Sequence, residues 1–595
     1  MNEINISLLE YQTQDHQEIP GKVDKRTPSD LPVIPLTKPL DNIAVCMSGG
    51  GFRAAAFSLG TLAYLHEKKI YGTTLLNRVS LISSVSGGTI TAAFYASQKN
   101  ALGYTFEDCY EQMLNILDGE KLLLEALEIL NSKREWVHKK NRNVINAFAL
   151  AYDKLIFKQK TMADLSATSL RCCFNATEFY RGLTFRFQNF GYMGNQFVKL
   201  EKEPDAGKIK LADVLAASSC FPGGFEPINF PADYANEFVT KEQLQKLVQV
   251  RDYDDRLMSE VTIPLMDGGI ADNQGITSAM IADLREREKS LQGGQDALPP
   301  IDLFLVSDVA SYFMDAYKSP KRSGSLIASI KLNWLLASLI VLSVAGIGWF
   351  VYALQQPGIP LSKTLAAFFL FPSVIIFGIT LWNVAHVILY WFKGKNTGYA
   401  GARELFNISP TFTDEIFGLL RKYLGRNSVG MLAYLVKDRI KSLMTMVNDV
   451  NLKQVRRLIS DIFYNNPLLE HRRCSNFIYD YSLINKVNHD RYLGRRNWSQ
   501  ADKDLLKPTE HLMKMAESAR TMGTTLWFDD KDQTQHRLQT IITCGKFTTC
   551  GNLIEYLLDL KYNQRFWNSL QPSVRQELQH LLDELMEDWK KFNNP

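Results

Sequence analysis

Ser86 lies in the stretch Ser84-Val85-Ser86-Gly87-Gly88, after an apolar run and before a helical pattern. A serine on so sharp a strand-to-helix turn is lifted clear of the sheet. Small residues two before and two after it prevent side chains from colliding there. Ser84 stands where glycine is usual, and Gly88 keeps the other small position. The hydroxyl sits at a helix N-terminus, whose free N–H groups favour developing negative charge. A second turn, Gly49-Gly50-Gly51, also follows an apolar run and opens a helix. Three glycines bring backbone donors close to a reacting carbonyl without side-chain interference, as an oxyanion hole requires.

A serine nucleophile requires a base. Of the nine histidines, only His66 and His138 fall in the region of these motifs, and neither sits on a loop after a strand. Asp267 does: it follows Val261–Met266 and precedes Gly268-Gly269, which makes this carboxylate the best base candidate. A dinucleotide fingerprint, Gly49-x-Gly51-x-x-Ala54, competes for the glycine run. It calls for an acidic residue at the end of the second strand, where Ser83-Ser84-Val85-Ser86 stands instead. A P-loop fails because no Gly-Lys-Ser/Thr follows the glycines.

These residues must be held by a sheet. Ile43–Met47 and Val79–Val85 are apolar without alternation, as in strands buried on both faces, and a glycine turn and a helical pattern follow each. The order predicts an α/β fold with a parallel sheet, and Val261–Met266 and Ile301–Val306 read as further strands. Before this core, residues 1–41 are polar and proline-rich and read as an extended N-terminal arm; the core domain itself spans about 42–315. Residues 394–595 read as mostly helical, and the pattern of Val574, Leu578, Leu581, Leu582, Leu585, Met586 and Trp589 after Pro572 predicts a helix docked on the protein's own core.

Leu332–Leu354 and Leu365–Trp391 carry no formal charge over 23 and 27 residues. About 20 apolar residues cross the hydrocarbon of a bilayer, so residues 332–391 read as a transmembrane helical hairpin. Lys318, Lys321, Arg322 and Lys331 precede it, Lys393, Lys395 and Arg403 follow it, and only Lys363 lies in its loop. That asymmetry places both soluble parts on the cytoplasmic side of a two-span, multi-pass membrane protein. Lys437, Arg439, Lys441, Lys453, Arg456 and Arg457 read either as a solvated helical face or as contacts for anionic headgroups.

Composition narrows the classes. Sixty-seven Lys and Arg against 63 Asp and Glu give a net +4 over 595 residues, with no basic stripe of the kind nucleic-acid binders carry. Eight cysteines without a C-x-x-C pair read as free thiols, and no metal-binding motif or cofactor is called for.

Taken in order, Ser48-Gly49-Gly50-Gly51-Phe52-Arg53, Ser84-Val85-Ser86-Gly87-Gly88 and Asp267-Gly268-Gly269 resemble the patatin-like phospholipases, relatives of the cytosolic phospholipases of animals. Phe174-Asn175-Ala176-Thr177 and Ala216–Pro222 add to the resemblance, which covers residues 42 to about 310. Thr524-Thr525-Leu526-Trp527 and Thr548–Leu553 look like the tail of larger members, so the C-terminal region would complete the catalytic domain around an inserted hairpin. The resemblance implies a Ser-Asp dyad of Ser86 and Asp267. Gly49, Gly50 and Gly51 would supply the oxyanion hole, and Arg53 would fix the glycine loop or meet a phosphate. Asn175 reads as a core hydrogen-bonding residue. The implied protein is a membrane-anchored hydrolase acting on a membrane lipid, with no cofactor and no nucleic-acid partner; an activator and a homo-oligomer stay open. An acyltransferase using the same dyad and a catalytically idle membrane scaffold or regulated effector are the alternatives.

Overall fold

The computed structural model describes residues 34–594, except for several short stretches, 311–316, 320–328 and most of 356–426. The expected N-terminal arm lies outside the described residues as far as residue 33. The chain divides into two units: one comprises residues up to Met314 together with Val447–Pro595, the other Asp315–Met446.

The first unit is built on a 12-stranded sheet. Its central strand β1 (Ile43–Met47) is buried at every position. Alternate side chains serve opposite faces: Ile43, Val45 and Met47 join the larger core, whereas Ala44 and Cys46 join a smaller one. That two-sided burial is why the run shows no polar alternation. On one edge β1 pairs in parallel with β2 (Val79–Val85), which pairs in parallel with β3 (Arg171–Glu178). On the other edge lies β6 (Leu303–Asp308), again parallel.

The sheet is mixed, not parallel throughout as the glycine turns led us to expect. Beyond β3, strand β4 (Leu183–Gln188) runs antiparallel, and short antiparallel strands continue to the edge. Strand β5 (Ile263–Asp267) is antiparallel to β3 and takes up the edge of β3 where β2 leaves it. Val85 stands opposite Asn175, and Asp267 stands opposite the next residue, Ala176. Strands β2 and β5 therefore run toward each other along one edge of β3 and meet end to end. A parallel-strand signature reports only the strands between helical crossovers, so hairpin additions escape it.

The C-terminal segment belongs to this unit. Its strand β7 (Arg473–Phe477) extends the sheet in parallel beyond β6. Helix α1 (Gly51–Glu67) is buried along nearly its whole length because helix α6 (Arg537–Tyr562) covers it. The two backbones nearly touch: a Cβ on Gly60 would lie 2.1 Å from the Ile542 carbonyl oxygen, so any larger residue there would force the helices apart. The last helix, α7 (Pro572–Asn593), buries Val574, Leu578, Leu581, Leu582, Leu585 and Trp589 in the same core. All eight cysteines are free and buried. Arg456 is no headgroup contact: its guanidinium is buried against Asp308 at 2.6 Å.

In the second unit, Leu332–Gln355 forms one helix of 24 residues and Val429–Thr445 another, joined at their starts by a Val429 N–H bond to the Ile330 carbonyl. Some side chains of the first helix, and most of the second uncharged stretch, including Asn383 and His386, lie outside the described residues. Among the described residues no helix is long and apolar enough to cross a membrane, so the expected two-span hairpin is without support there.

Candidate active site

The turn after β2 carries Ser86 at φ 49° and ψ −122°, a conformation that non-glycine residues rarely adopt and that a surrounding frame must hold. The frame is visible. The Ser86 N–H donates to Ser218 Oγ at 2.9 Å, and Ser218 Oγ donates to the Asn175 carbonyl at 2.7 Å. Ser218 lies in the last turn of helix α3 (Leu211–Ser219) and is fully buried. Ser84 uses its hydroxyl: it lies 3.0 Å from Thr89 Oγ1, in the first turn of helix α2 (Gly87–Gln98). The departure from glycine at position 84 thus adds a tie between the two arms of the turn.

Asp267 ends β5 beside this elbow. Its Oδ1 accepts the Gly269 N–H at 2.7 Å, and its own N–H donates to the Cys220 carbonyl at 2.9 Å. Burial pushes its carboxyl up to about 6, while the bond from Gly269 and a side-chain hydrogen bond with Ser86 act in the opposite direction. The turns that carry Ser86 and Asp267 thus lie next to each other at the ends of β2 and β5. His66 is elsewhere, in the last turn of α1 with its Nε2 2.9 Å from Glu107.

The three glycines divide their labour. The Gly49 N–H already donates to the Asn273 carbonyl at 3.0 Å. Among the described residues, the amides of Gly50 and Gly51 have no hydrogen-bond partner. Both residues have positive φ, 144° and 60°, which turns the chain from β1 into α1. Asn175 is a core residue: Nδ2 donates to Ser83 Oγ and the Ser84 carbonyl, both at 3.0 Å, and Oδ1 accepts from Ser278 at 2.6 Å.

Arg53 reaches the C-terminal segment. It donates through Nη1 to the Arg520 carbonyl at 3.0 Å and to the Met522 carbonyl. Burial lowers the guanidinium to about 10, so it stays charged at neutral pH. The Phe52 N–H donates to the Thr525 carbonyl at 2.8 Å, and a Cβ on Gly51 would lie 2.2 Å from that same oxygen. The strap that follows helix α5 (Glu510–Thr521) thus rests directly on the glycine loop. Ser218 and Thr525 both fall in stretches the sequence singled out, yet no local signal gave either a role. Among the described residues no group of three or more His, Cys, Asp or Glu side chains could hold a metal ion.

Residues 45–280 match the sequence model of the family described as patatin-like phospholipase. Solved structures similar to the chain include human GIVD cytosolic phospholipase A2, at 13% identity over 44% of this chain and 45% of that one, with a TM-score of 0.25. The same human enzyme in complex with methyl gamma-linolenyl fluorophosphonate matches at 16% identity over 32% of this chain and 28% of that one, TM-score 0.22. VipD from Legionella pneumophila matches at 11% identity over 98% and 97%, TM-score 0.19. The match spans less than half the length of the human enzyme. No curated protein sequence matches the chain.

Proposed function

We propose that the protein is a lipid acyl hydrolase working through Ser86 and Asp267. The observation that carries the reading is the meeting of β2 and β5 on one edge of β3, which sets the elbow serine against a buried carboxylate. Asp267 takes the hydroxyl proton as Ser86 Oγ attacks the acyl carbonyl carbon. The tetrahedral oxyanion is held by the amides of Gly50 and Gly51. Collapse breaks the ester bond, and the leaving alkoxide receives the proton from Asp267. Water, deprotonated by the same carboxylate, then attacks the acyl-enzyme, releasing a fatty acid and restoring the serine hydroxyl.

The substrate in this reading is a membrane phospholipid, and Leu332–Leu354 with Leu365–Trp391 seat the protein in its bilayer with both soluble parts on the cytoplasmic side. What supports the seat is the absence of charge over both stretches, the basic flanks, and the exposed Trp334, Val341 and Leu342 of the first stretch. Ser373 of the second stretch lies against Gly346 of the first, the small-residue contact that lets two apolar segments pack closely.

The test is lipid mass spectrometry on mixed phospholipid liposomes carrying the full chain, with Ser86→Ala and Asp267→Asn in parallel. Fatty acid and lysolipid that vanish in both variants support the dyad. Wild type that releases no more than the variants, with and without cell extract, sinks it. Alkaline carbonate extraction of membranes tests the seat separately: release into the supernatant rejects it.

A further inference from the structure

Asn273 lies in the turn between the Asp267 loop and helix α4 (Ile276–Leu291), and no motif singled it out. The turn around it is heavily tied. Asp272 Oδ1 accepts the N–H groups of Gln274 and Gly275, both at 3.0 Å, and its Oδ2 accepts that of Thr277 at 2.7 Å. Gln274 Nε2 donates to Asp308 Oδ2 at 2.6 Å, the same carboxylate oxygen that holds Arg456. Within this frame the Asn273 side chain alone makes no hydrogen bond among the described residues.

Its position is defined by two glycines. A Cβ built on Gly49 would meet Asn273 Oδ1 at 2.5 Å and Ser86 Cβ at 3.1 Å. A Cβ built on Gly269 would meet the same Oδ1 at 2.7 Å and Asp267 Oδ1 at 2.9 Å. The carboxamide oxygen is therefore lodged between the oxyanion loop and the aspartate turn, with the nucleophile on one side and the base on the other. The backbone of the same residue takes the Gly49 N–H.

We propose that Asn273 is a positioning residue for the reaction, clamping the Gly49–Gly51 loop to the Asp267 turn so that the Gly50 and Gly51 amides keep register with the Ser86–Asp267 pair. The claim rests on the hydrolase reading above. It follows that Gly49 is not an oxyanion donor: its amide belongs to the clamp, and its lack of a side chain makes room for the carboxamide. Loss of the wedge leaves every reacting group present but lets the donors drift, and displacement of about 1 Å at a reacting centre costs on the order of 10²-fold.

The test is a double-mutant cycle of Gly49→Ala and Asn273→Ala in the full chain, read by Tm and by hydrolysis of a soluble p-nitrophenyl acyl ester. Asn273→Ala is expected to lower kcat by about 10- to 100-fold with KM within about twofold. Gly49→Ala alone is expected to lower both kcat and Tm, because the new methyl meets the carboxamide. Its effects shrink at least about threefold when Asn273 is already alanine, since contacting residues do not act additively. Additive losses, or an Asn273→Ala variant with wild-type kcat, overturn the proposal. If Gly49→Ala does not fold, recovery of folded protein in the double variant supports the clamp, and failure to recover counts against it. Ser86 labelling by a fluorophosphonate separates the two readings. Wild type inert toward ester and probe alike defeats the hydrolase and with it Asn273's part in catalysis. Labelled wild type with an additive cycle defeats only the clamp.

Discussion

The Phe52 N–H donates to the Thr525 carbonyl at 2.8 Å, tying the first turn of α1 to a strap far along the chain. Together with Arg53 on the Arg520 and Met522 carbonyls, this bond makes the C-terminal segment a wall of the glycine loop. Arg53→Ala removes a charged donor from two carbonyls. It is expected to destabilise the fold by about 1.5–3 kcal/mol and to lower kcat more than KM. Arg53→Lys should recover only part of both, because an ammonium is a more strongly hydrated point charge than a guanidinium and costs more to bury. Chemical denaturation and steady-state kinetics check the two effects. Wild-type kcat in Arg53→Ala would separate the strap from catalysis.

Ser218 holds the strained elbow through one hydroxyl that both accepts and donates. Ser218→Ala leaves the Ser86 N–H and the Asn175 carbonyl without that partner, at a cost of about 1–3 kcal/mol in stability. Because the lost bond holds Ser86 at positive φ, kcat should fall while the protein remains folded. Circular dichroism beside fluorophosphonate labelling rates reads this directly, and unchanged labelling refutes it.

Asp267 works as a base only when ionised, and burial pushes its carboxyl up to about 6. The kcat/KM profile is therefore expected to rise with pH and level off above this value. A profile flat from pH 5 to 8 would exclude Asp267 as the base.

Stability runs the other way. A carboxyl whose folded value lies above its unfolded value of about 3.9 binds its proton more tightly in the native state. Its contribution is complete below about pH 4 and is lost as pH rises through about 6. Asp267→Asn, which cannot ionise, should thus be more stable than wild type at pH 8, by up to about 3 kcal/mol, and no more stable at pH 4. Paired denaturant curves at the two pH values check it, and equal differences at both would refute it.

Much of the site is local and was legible without coordinates. The apolar runs of β1 and β2, the glycine turns after them and the aspartate at the end of β5 are short-range signals, because a buried strand followed by a sharp turn imposes residue types within about ten positions. They were enough to nominate Ser86, Asp267 and the glycine loop. The order of strands was only half legible. Pairing direction beyond β3 depends on which edges meet, so the antiparallel approach of β5, which brings Asp267 to Ser86, left no trace in residue type.

The division among the glycines and the roles of Asn273, Ser218 and Thr525 were decided by the tertiary structure alone. Each acts through a backbone group or a single close contact with a distant segment. A carbonyl or an N–H is carried by nearly every residue, so its partner cannot be read from the sequence. The sequence by itself determined which chemistry this protein could carry. Packing of the C-terminal helices and strap against α1 decided how the oxyanion loop is held, because only the folded chain brings Thr525 to Gly51 and Asn273 to Gly49.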